Sequence, residues 1–292
     1  MKKTSILILL SLILSLFSCK KTEKKQTNSA EIKQGKLFII GGGKRSKKLI
    51  WSLIEISTLD KGGYGIVLPM ASESIDTASF YSCKQFIDLG INNISSMNFE
   101  TNNDMTKSKL DSIENAKLIY ISGGDQNKFM KIVKNTKLHT AIKQAYKNGA
   151  TIAGTSAGAA VMSKKMITGN ELKHKEYTGD YRTIEANNIQ IGEGLGLCNS
   201  IIVDQHFVKR MRMNRLITTC LENPLEICVG IDEATAILIQ NKKVTILGES
   251  QIIVLKHITA ETKIVNGLLG AENIQLSVYL PGDNFTLQDF KK

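Results

Sequence analysis

The sequence has little of several residue types, and each shortage argues against a class of protein. The 292 residues include only 3 prolines and 6% aromatic residues, which disfavours a proline-rich or disordered chain. The 5 cysteines form no CxxC pair, so thioredoxin-like redox chemistry and a zinc site are poorly supported. With 42% hydrophobic and 22% charged residues, the chain is expected to form one large or two small globular domains.

The net charge of +11 is concentrated at the beginning of the chain. Two lysines stand at positions 2 and 3, and residues 20–48 carry ten lysines and arginines against two glutamates. The rest of the chain is nearly neutral, so no broad basic surface is expected. We therefore predict no nucleic-acid partner, and we assign the basic segment to a tail that contacts anionic lipid head groups.

The first residues have the features of an export signal. An apolar run from Ser5 to Phe17 follows the two lysines and is too short to span a bilayer. Ser18-Cys19 then resembles the lipobox of bacterial lipoproteins, which implies cleavage before Cys19, lipidation of its sulfur and anchoring to the cell envelope. The alternative is an ordinary secretory signal. We divide the chain into a signal at 1–19, a flexible tether at 20–34 and a folded domain at 35–292.

Short apolar runs alternate with amphipathic segments from Gly35 onward, which predicts an α/β fold with a mostly parallel sheet flanked by helices. Strands are expected at Lys36–Ile40, Gly65–Pro69, 93–97, Lys117–Ile121 and Thr151–Ala153. Strand-like runs at 234–240, 243–247 and 251–255 predict a small antiparallel C-terminal extension.

The segment Gly154-Thr-Ser-Ala-Gly158 fits the G-x-S-x-G pattern of a nucleophile elbow. A predicted strand precedes it and a predicted helix follows, so the Ser156 hydroxyl should project at the carboxyl end of the strand. The helix N-terminus there favours a developing negative charge. The alternative is a glycine-rich turn without chemistry.

A nucleophilic serine needs a base, and the chain has 4 histidines. His139 and His174 lie in polar stretches that we expect to be exposed, and His257 ends a predicted C-terminal strand. His206 follows the apolar run Ile201–Val203 and should therefore lie at the same sheet edge as the serine. It is our candidate general base.

The acid that orients the base, and the oxyanion donors, are less well determined by the residues alone. Asp232 and Glu233 are both candidates for the acid, and Asp204 is not excluded. The amide of Ala157 is one candidate oxyanion donor, and the glycine-rich turn Gly123–Asp125 offers a second.

Two further patterns have competing interpretations. Arg210, Arg212 and Arg215 form either a charged helical face or a clamp for a substrate carboxylate. Gly41–Gly43 after the first strand suggests a dinucleotide-binding turn, but the full G-x-G-x-x-G is missing, so a nucleotide site is disfavoured.

Four motifs together resemble the cyanophycinase family, a serine peptidase family shared with aspartyl dipeptidase. The motifs are GGDQ at Gly123–Gln126, GTSAGA at Gly154–Ala159, DQHFxxRxRxxRL at Asp204–Leu216 and GIDEATA at Gly230–Ala236. The likeness runs in order from about Gly35 to Ala236.

The resemblance implies a fold like that of class I glutamine amidotransferases and a triad of Ser156, His206 and Glu233. It further implies an oxyanion hole formed by the amides of Gly124 and Ala157, and it requires no metal or organic cofactor. The residues that match positions lining the family's substrate pocket are Gln126, Asp204, Gln205, Arg210, Arg212 and Arg215. The implied reaction proceeds through an acyl-enzyme and releases β-aspartyl-arginine dipeptides from cyanophycin, a polyaspartate with arginine on each side chain.

Several alternatives stay open at this stage. The chain is alternatively a dipeptidase or isopeptidase for small aspartyl peptides, or a catalytically silent lipid-anchored peptide-binding protein. An α/β-hydrolase arrangement of Ser156, Asp232 and His257 is a further alternative.

The segment Gly169–Glu193 is interpreted as an inserted lid or an altered pocket wall. A homodimer is also allowed by the resemblance, and Cys83, Cys198, Cys220 and Cys228 are expected to be free thiols, with one disulfide as the alternative.

Overall fold

The computed structural model describes residues 34–176 and 183–290. The predicted signal, Cys19 and nearly all of the predicted tether lie outside these residues, so they stay predictions. No helix within the described ranges combines the length and the apolarity that crossing a membrane requires.

The described strands are numbered along the chain. They are β1 Lys36–Ile40, β2 Gly65–Leu68, β3 Ile94–Ser96, β4 Leu118–Ile121, β5 Thr151–Thr155, β6 Lys165–Glu171, β7 Ile189–Glu193, β8 Ile201–Gln205, β9 Ile227–Ile231, β10 Thr235–Gln240, β11 Lys243–Gly248, β12 Ile252–His257, β13 Thr262–Val265, β14 Leu268–Ala271, β15 Ile274–Tyr279 and β16 Asn284–Thr286. The helices are α1 Lys47–Ser57, α2 Ile75–Ile87, α3 Lys107–Glu114, α4 Gln126–Val133, α5 Lys137–Lys147, α6 Ala157–Ala160 and α7 Met213–Glu222.

The main sheet has eight strands, in the order β16-β11-β10-β1-β5-β4-β2-β3. The neighbouring strands β1, β5, β4, β2 and β3 are parallel to one another. On the other side of β1, the strands β10, β11 and β16 extend the sheet in antiparallel fashion. Side chains alternate along β1, so Phe38 and Ile40 pack under α1 and α2, while Leu37 and Ile39 pack with α3 to α6. The predicted α/β class, with a mostly parallel sheet, flanking helices and antiparallel strands near the C-terminus, is confirmed.

A second sheet has the order β15-β12-β9-β8 and was not anticipated from the sequence. β8 and β9 are parallel, and β12 and β15 are added in antiparallel fashion. One face carries Val203, Val229 and Val254 into the main core, and α7 covers the opposite face with Leu216 and Cys220. The predicted C-terminal extension is therefore divided, because β10 and β11 join the main sheet and β12 joins the second.

The segment Gly169–Glu193 includes the end of β6 and all of β7, which pair as an antiparallel ladder with a register shift between Ile167 and Glu171.

The expectation that His139 is exposed is wrong. Its ring is 7% exposed, and Nε2 lies 3.0 Å from the Leu195 carbonyl. Four free thiols are found in the described residues: Cys83, Cys198, Cys220 and Cys228.

Candidate active site

The turn between β5 and α6 gives Ser156 an unusual backbone conformation, with φ 54° and ψ −111°. Only tight packing maintains such a conformation in a residue other than glycine. A Cβ on Gly154 would lie 2.3 Å from the Gly158 carbonyl oxygen, and one on Gly158 would lie 2.3 Å from the Ile121 carbonyl oxygen. Glycines are therefore needed on both sides of the serine, which projects its hydroxyl from the carboxyl edge of the main sheet.

His206 follows β8 directly and lies beside the serine. Its Nε2 is 2.8 Å from Ser156 Oγ, and its Nδ1 is 2.7 Å from Glu233 Oε1. Because a carboxylate only accepts, Nδ1 carries the proton and donates it to Glu233. Nε2 is then left to accept the serine hydroxyl proton, which is the arrangement of a serine hydrolase triad.

Three carboxylates were candidates for the acid, and the structure brings one of them to the imidazole. Glu233 bonds to His206, whereas Asp232 accepts hydrogen bonds from the Lys209 amide at 2.9 Å and the Ser250 hydroxyl at 2.9 Å. Asp204 is fully buried and binds an arginine instead. Glu233 is therefore the residue placed to orient the base.

The glycines Gly41–Gly43, which the sequence had suggested only as an unlikely nucleotide turn, lie directly against the triad. The Ile40 carbonyl accepts the Ser156 amide at 3.1 Å, and the Gly41 carbonyl accepts the His206 amide at 2.7 Å. A Cβ on Gly42 would lie 2.3 Å from the His206 ring, and one on Gly43 would lie 2.7 Å from the Glu233 side chain. This loop thus fixes the separation of the nucleophile and its base.

The electrostatic surroundings keep the imidazole neutral. Burial is the largest influence and lowers the pKa of His206 below its usual 6.5, and the positive charges of Arg210 and Arg212 lower it further. The hydrogen bond that His206 donates to Glu233 acts in the opposite direction and raises the pKa, but burial prevails. At neutral pH the ring is therefore in the form that can accept a proton.

A cavity of about 430 Å³ opens at the Ser156 hydroxyl. Its lining residues are Gly124, Asp125, Gln126, Asn127, Ser156, Thr168, Gly169, Asn170, Gln205, Arg210, Arg212 and Arg215. All the residues that the resemblance assigned to the substrate pocket line it, except Asp204. Gly169 and Asn170 belong to the Gly169–Glu193 segment, so that segment supplies part of the cavity wall.

The two amides expected to form the oxyanion hole lie at this cavity or beside it. Gly124 lines the cavity with φ 141°, and a Cβ there would lie 2.0 Å from the Ala71 carbonyl oxygen. Ala157 is the first residue of α6. Within the described chain, neither amide donates a hydrogen bond to a backbone carbonyl. Both donors are thus available to a ligand, and their role in catalysis stays a prediction.

The three arginines of the cavity differ in how they are held. Arg215 is 1% exposed and forms a two-point contact with the fully buried Asp204, with Nε 2.8 Å from Oδ2. Arg212 Nη1 donates to the Gln205 carbonyl at 2.6 Å and lies 3.6 Å from Asp204. Arg210 is exposed, and no carboxylate of the described residues pairs with it. Asp204 therefore anchors arginines from behind and, contrary to the prediction, does not line the pocket.

Gln126 and Gln205 both line the cavity and are held differently. Gln126 is the first residue of α4, and its Nε2 donates to the carbonyls of Ile167 at 3.0 Å and Thr168 at 2.6 Å. These bonds tie the middle of β6 to the start of α4. The buried Oε1 of Gln205 finds no donor among the described residues, which leaves it able to accept from a bound ligand.

The histidine of the alternative arrangement lies elsewhere. His257 is 1% exposed at the end of β12. The other end of β12, at Ile252, pairs with Ile231 beside the triad. Five residues of strand amount to about 16 Å, so Ser156 and His257 are not brought together. The described residues contain no group of three or more histidine, cysteine or acidic side chains that could hold a metal.

Comparison with known proteins gives a consistent result. The family model described as Peptidase family S51 matches residues 37–247. A cyanophycinase from a Nostoc species is 29% identical over 232 residues, which cover 77% of this chain and 75% of the relative. A peptidase E from Haemophilus influenzae is 27% identical over 155 residues, covering 50% of this chain and 61% of the relative. The crystal structure of a peptidase from an acI-B1 actinobacterium has a TM-score of 0.63 at 24% identity, covering 88% of this chain and 98% of that chain.

Proposed function

The chain belongs to peptidase family S51 and is a serine-type peptidase, and we propose that it hydrolyses cyanophycin or a related aspartyl polymer through an acyl-enzyme on Ser156. The observation that carries this proposal is the continuous chain of hydrogen-bond contacts from Ser156 through His206 to Glu233. These atoms already lie within reach of proton transfer.

In the acylation step, His206 Nε2 takes the hydroxyl proton as Ser156 Oγ attacks the scissile carbonyl. The resulting oxyanion is stabilised by the amides of Gly124 and Ala157, which the backbone holds in place before the reaction begins. Glu233 stabilises the imidazolium and holds its orientation. The imidazolium then gives its proton to the leaving amine, and the acyl-enzyme remains.

In the deacylation step, water replaces the amine. His206 removes a proton from this water, which attacks the ester carbonyl, and the same two amides stabilise the second oxyanion. Collapse of the intermediate returns the proton to Ser156 Oγ and releases the carboxylic acid product. These steps use only side chains and amides of this chain.

The charge of the cavity supports an acidic substrate. Arg210, Arg212 and Arg215 all line it, and Asp204 neutralises only part of their charge from behind. Guanidinium groups bind carboxylates in a two-point geometry. The free carboxylates of an aspartyl polymer or peptide match this surface, and Arg210 on the exposed rim is the arginine most accessible to them.

The relatives support two sizes of substrate. The cyanophycinase relative supports a polymer, and the peptidase E relative supports small aspartyl peptides. Incubation of the purified protein with cyanophycin and, separately, with Asp-X dipeptides distinguishes them when the product masses are measured. Release of β-aspartyl-arginine supports the polymer proposal, and cleavage of dipeptides alone contradicts it.

The Ser156→Ala variant tests the nucleophile. We expect it to lose hydrolysis by roughly 10⁴-fold or more, because the acyl-enzyme cannot form. Unchanged turnover in a correctly folded variant would refute the mechanism. Labelling of the wild-type serine by a fluorophosphonate, absent from the variant, would argue against a silent binding protein.

The proposal includes export and lipid anchoring through Cys19. The lipobox-like sequence Ser18-Cys19 after an apolar run is its support. Growth of expressing cells with a radiolabelled fatty acid should label the protein, and Cys19→Ala should abolish the label. Equal labelling of both forms would contradict this part of the proposal.

A further inference from the structure

The hairpin formed by β13 and β14 lies beyond residue 247, where the match to the family model ends. Its strands are joined by Asn266 and Gly267, whose φ values of 52° and 80° are those that a type I′ turn requires. The Thr262 hydroxyl donates to the Leu221 carbonyl at 3.3 Å, which fastens the hairpin to the end of α7. The hairpin is therefore a fixed part of the domain that belongs to this chain's own C-terminal region.

The outer edge of β14 contacts the Gly169–Glu193 segment. The Leu269 amide donates to the Ile184 carbonyl at 2.9 Å, and the Ala186 amide donates to the Gly267 carbonyl at 2.9 Å. The stretch of chain that precedes β7 therefore lies beside β14 like a short third strand.

Asn188 joins this stretch to the end of β6 and the residues that follow it. Its side chain is buried, with Oδ1 3.0 Å from the Lys173 amide and Nδ2 2.6 Å from Glu171 Oε1. Its carbonyl accepts the Leu172 amide at 2.7 Å. Because one residue bonds to three successive positions, the chain on the β6 side takes its position from the chain on the β7 side.

The wall of the catalytic cavity is held in the same way. Gly169 and Asn170 line that cavity. The Asn170 side chain donates to Gln190 Oε1 at 3.0 Å, and the Thr168 hydroxyl lies 3.0 Å from the same oxygen. Gln190 belongs to β7, so hydrogen bonds connect the cavity wall with the stretch that β14 holds.

We propose that β14, through its outer backbone edge at Leu269, is a positioning element for this wall and thereby determines how tightly the substrate binds. The hydrogen bonds from Ser156 through His206 to Glu233 involve no residue of the hairpin. Losing an interaction that contributes equally to the ground state and the transition state raises KM and leaves kcat unchanged. The inference rests on the assignment as a peptidase and applies to either size of substrate.

One pair of opposed residues in the hairpin provides matched variants. Ile264 and Leu269 face each other beside the closing pair of a two-residue turn, so their amides point to opposite outer edges. Leu269→Pro removes the donor to Ile184. Ile264→Pro removes an amide that donates to no backbone carbonyl outside the hairpin among the described residues. Proline is tolerated where the amide points away from the ladder, so both variants should keep the hairpin.

Limited digestion of the full-length protein with trypsin tests the contact without any substrate. Lys173 and Lys175 are exposed in the segment. We expect cleavage after these lysines to be roughly tenfold faster in Leu269→Pro than in the wild type, because local opening controls access to the protease. Ile264→Pro should be cleaved at the wild-type rate. Equal rates in the two variants would overturn the proposal, whichever substrate the enzyme cleaves.

Steady-state kinetics tests the effect on binding. On cyanophycin or an Asp-X dipeptide, whichever the wild type cleaves, Leu269→Pro should raise KM by roughly threefold or more and keep kcat within about twofold. Ile264→Pro should change neither value. Fluorophosphonate labelling of Ser156 should proceed at the same rate in all three proteins, because the triad is unaltered.

A second variant breaks the same path at another point. Asn188→Ala removes the side-chain bonds to Lys173 and Glu171 and should also raise KM, so it provides the test if Leu269→Pro does not fold. An unchanged KM in the folded variants overturns the proposal. A fall in kcat and in the labelling rate at unchanged KM overturns it as well, since the triad and not the wall would then depend on the hairpin.

Discussion

The nucleophile and its two partners are positioned by different parts of the molecule. Ser156 lies at the end of β5, between β1 and β4 in the main sheet, and its conformation is set by close contacts within a strand–turn–helix unit. His206 and Glu233 follow β8 and β9 in the second sheet. Their position beside the serine is set by contacts with Gly41–Gly43 and by the packing of the second sheet against the main core. The nucleophile is thus placed locally, and the base and acid depend on how two sheets meet.

The largest expected effect distinguishes the two neighbouring carboxylates that follow β9, Asp232 and Glu233. Glu233→Gln should lower kcat by about 10⁴-fold, because the amide no longer stabilises the imidazolium or selects its tautomer. Asp232→Asn should keep activity within about tenfold, since Asp232 bonds to the Lys209 amide and Ser250 and not to His206. Steady-state kinetics on the same substrate measures both, and equal losses would contradict the assignment.

The buried ion pair between Asp204 and Arg215 should contribute more to stability than the exposed ion pair between Lys84 and Asp88. Asp204→Ala leaves Arg215 without its fully buried partner, and we expect a loss of about 3–5 kcal/mol in unfolding free energy. Asp88→Ala removes the exposed partner of Lys84 and should cost less than about 1 kcal/mol. Urea unfolding compares them, and similar midpoints would show that the buried pair does not support the sheet.

The contact between the Gly41–Gly43 loop and the triad is tested by adding one methyl group to Gly42. Gly42→Ala places a Cβ 2.3 Å from the His206 ring and requires an unfavourable φ of 120°. A displacement of the base by about 1 Å should lower kcat/KM by roughly 10²-fold. Gly270→Ala, where nothing lies within 4 Å, is the matched control. Normal activity in Gly42→Ala would mean that the loop does not set the separation of nucleophile and base.

The smallest expected effect is on pH dependence. Because the pKa of His206 lies below 6.5, the acid limb of kcat/KM should lie below that pH, and activity should fall as the ring becomes protonated. Arg210→Gln removes a charge that lowers this pKa, so the limb should move to higher pH. A shift to lower pH, or none, would show that the Arg210 charge does not act on the base.

Local parts of the site could be predicted from the sequence, because neighbouring residues build them. The elbow around Ser156 was recognisable from two glycines between a strand and a helix. His206 was found because it follows a buried apolar strand. The expectation that this strand shares a sheet with Ser156 was wrong, since β8 belongs to the second sheet and its end meets the end of β5 where the two sheets pack. The choice between Asp232 and Glu233 was not possible from the residues alone, since it depends on how the segment after β9 packs. The Gly42 carbonyl accepts the Ala234 amide, and the Glu233 side chain lies against Gly43.

Features that depend on pairing between distant segments were not predictable. The second sheet joins strands that begin at 201 and end at 279, and no local pattern specifies that order. Asp204 was assigned to the pocket because its neighbours Gln205 and His206 lie there, yet alternation along β8 turns its side chain to Arg215. The role of Gly42 and Gly43 became visible only when His206 and Glu233 packed against them.

The direction of β1 has a practical consequence. The strand begins at Lys36, close to where the polypeptide enters the domain, and ends at Ile40, whose carbonyl holds the Ser156 amide. Its five residues span about 16 Å from one side of the sheet to the other. A protein immobilised through residues before Lys36, on a bead or a sensor chip, would therefore present its cleft to the solution and not to the support.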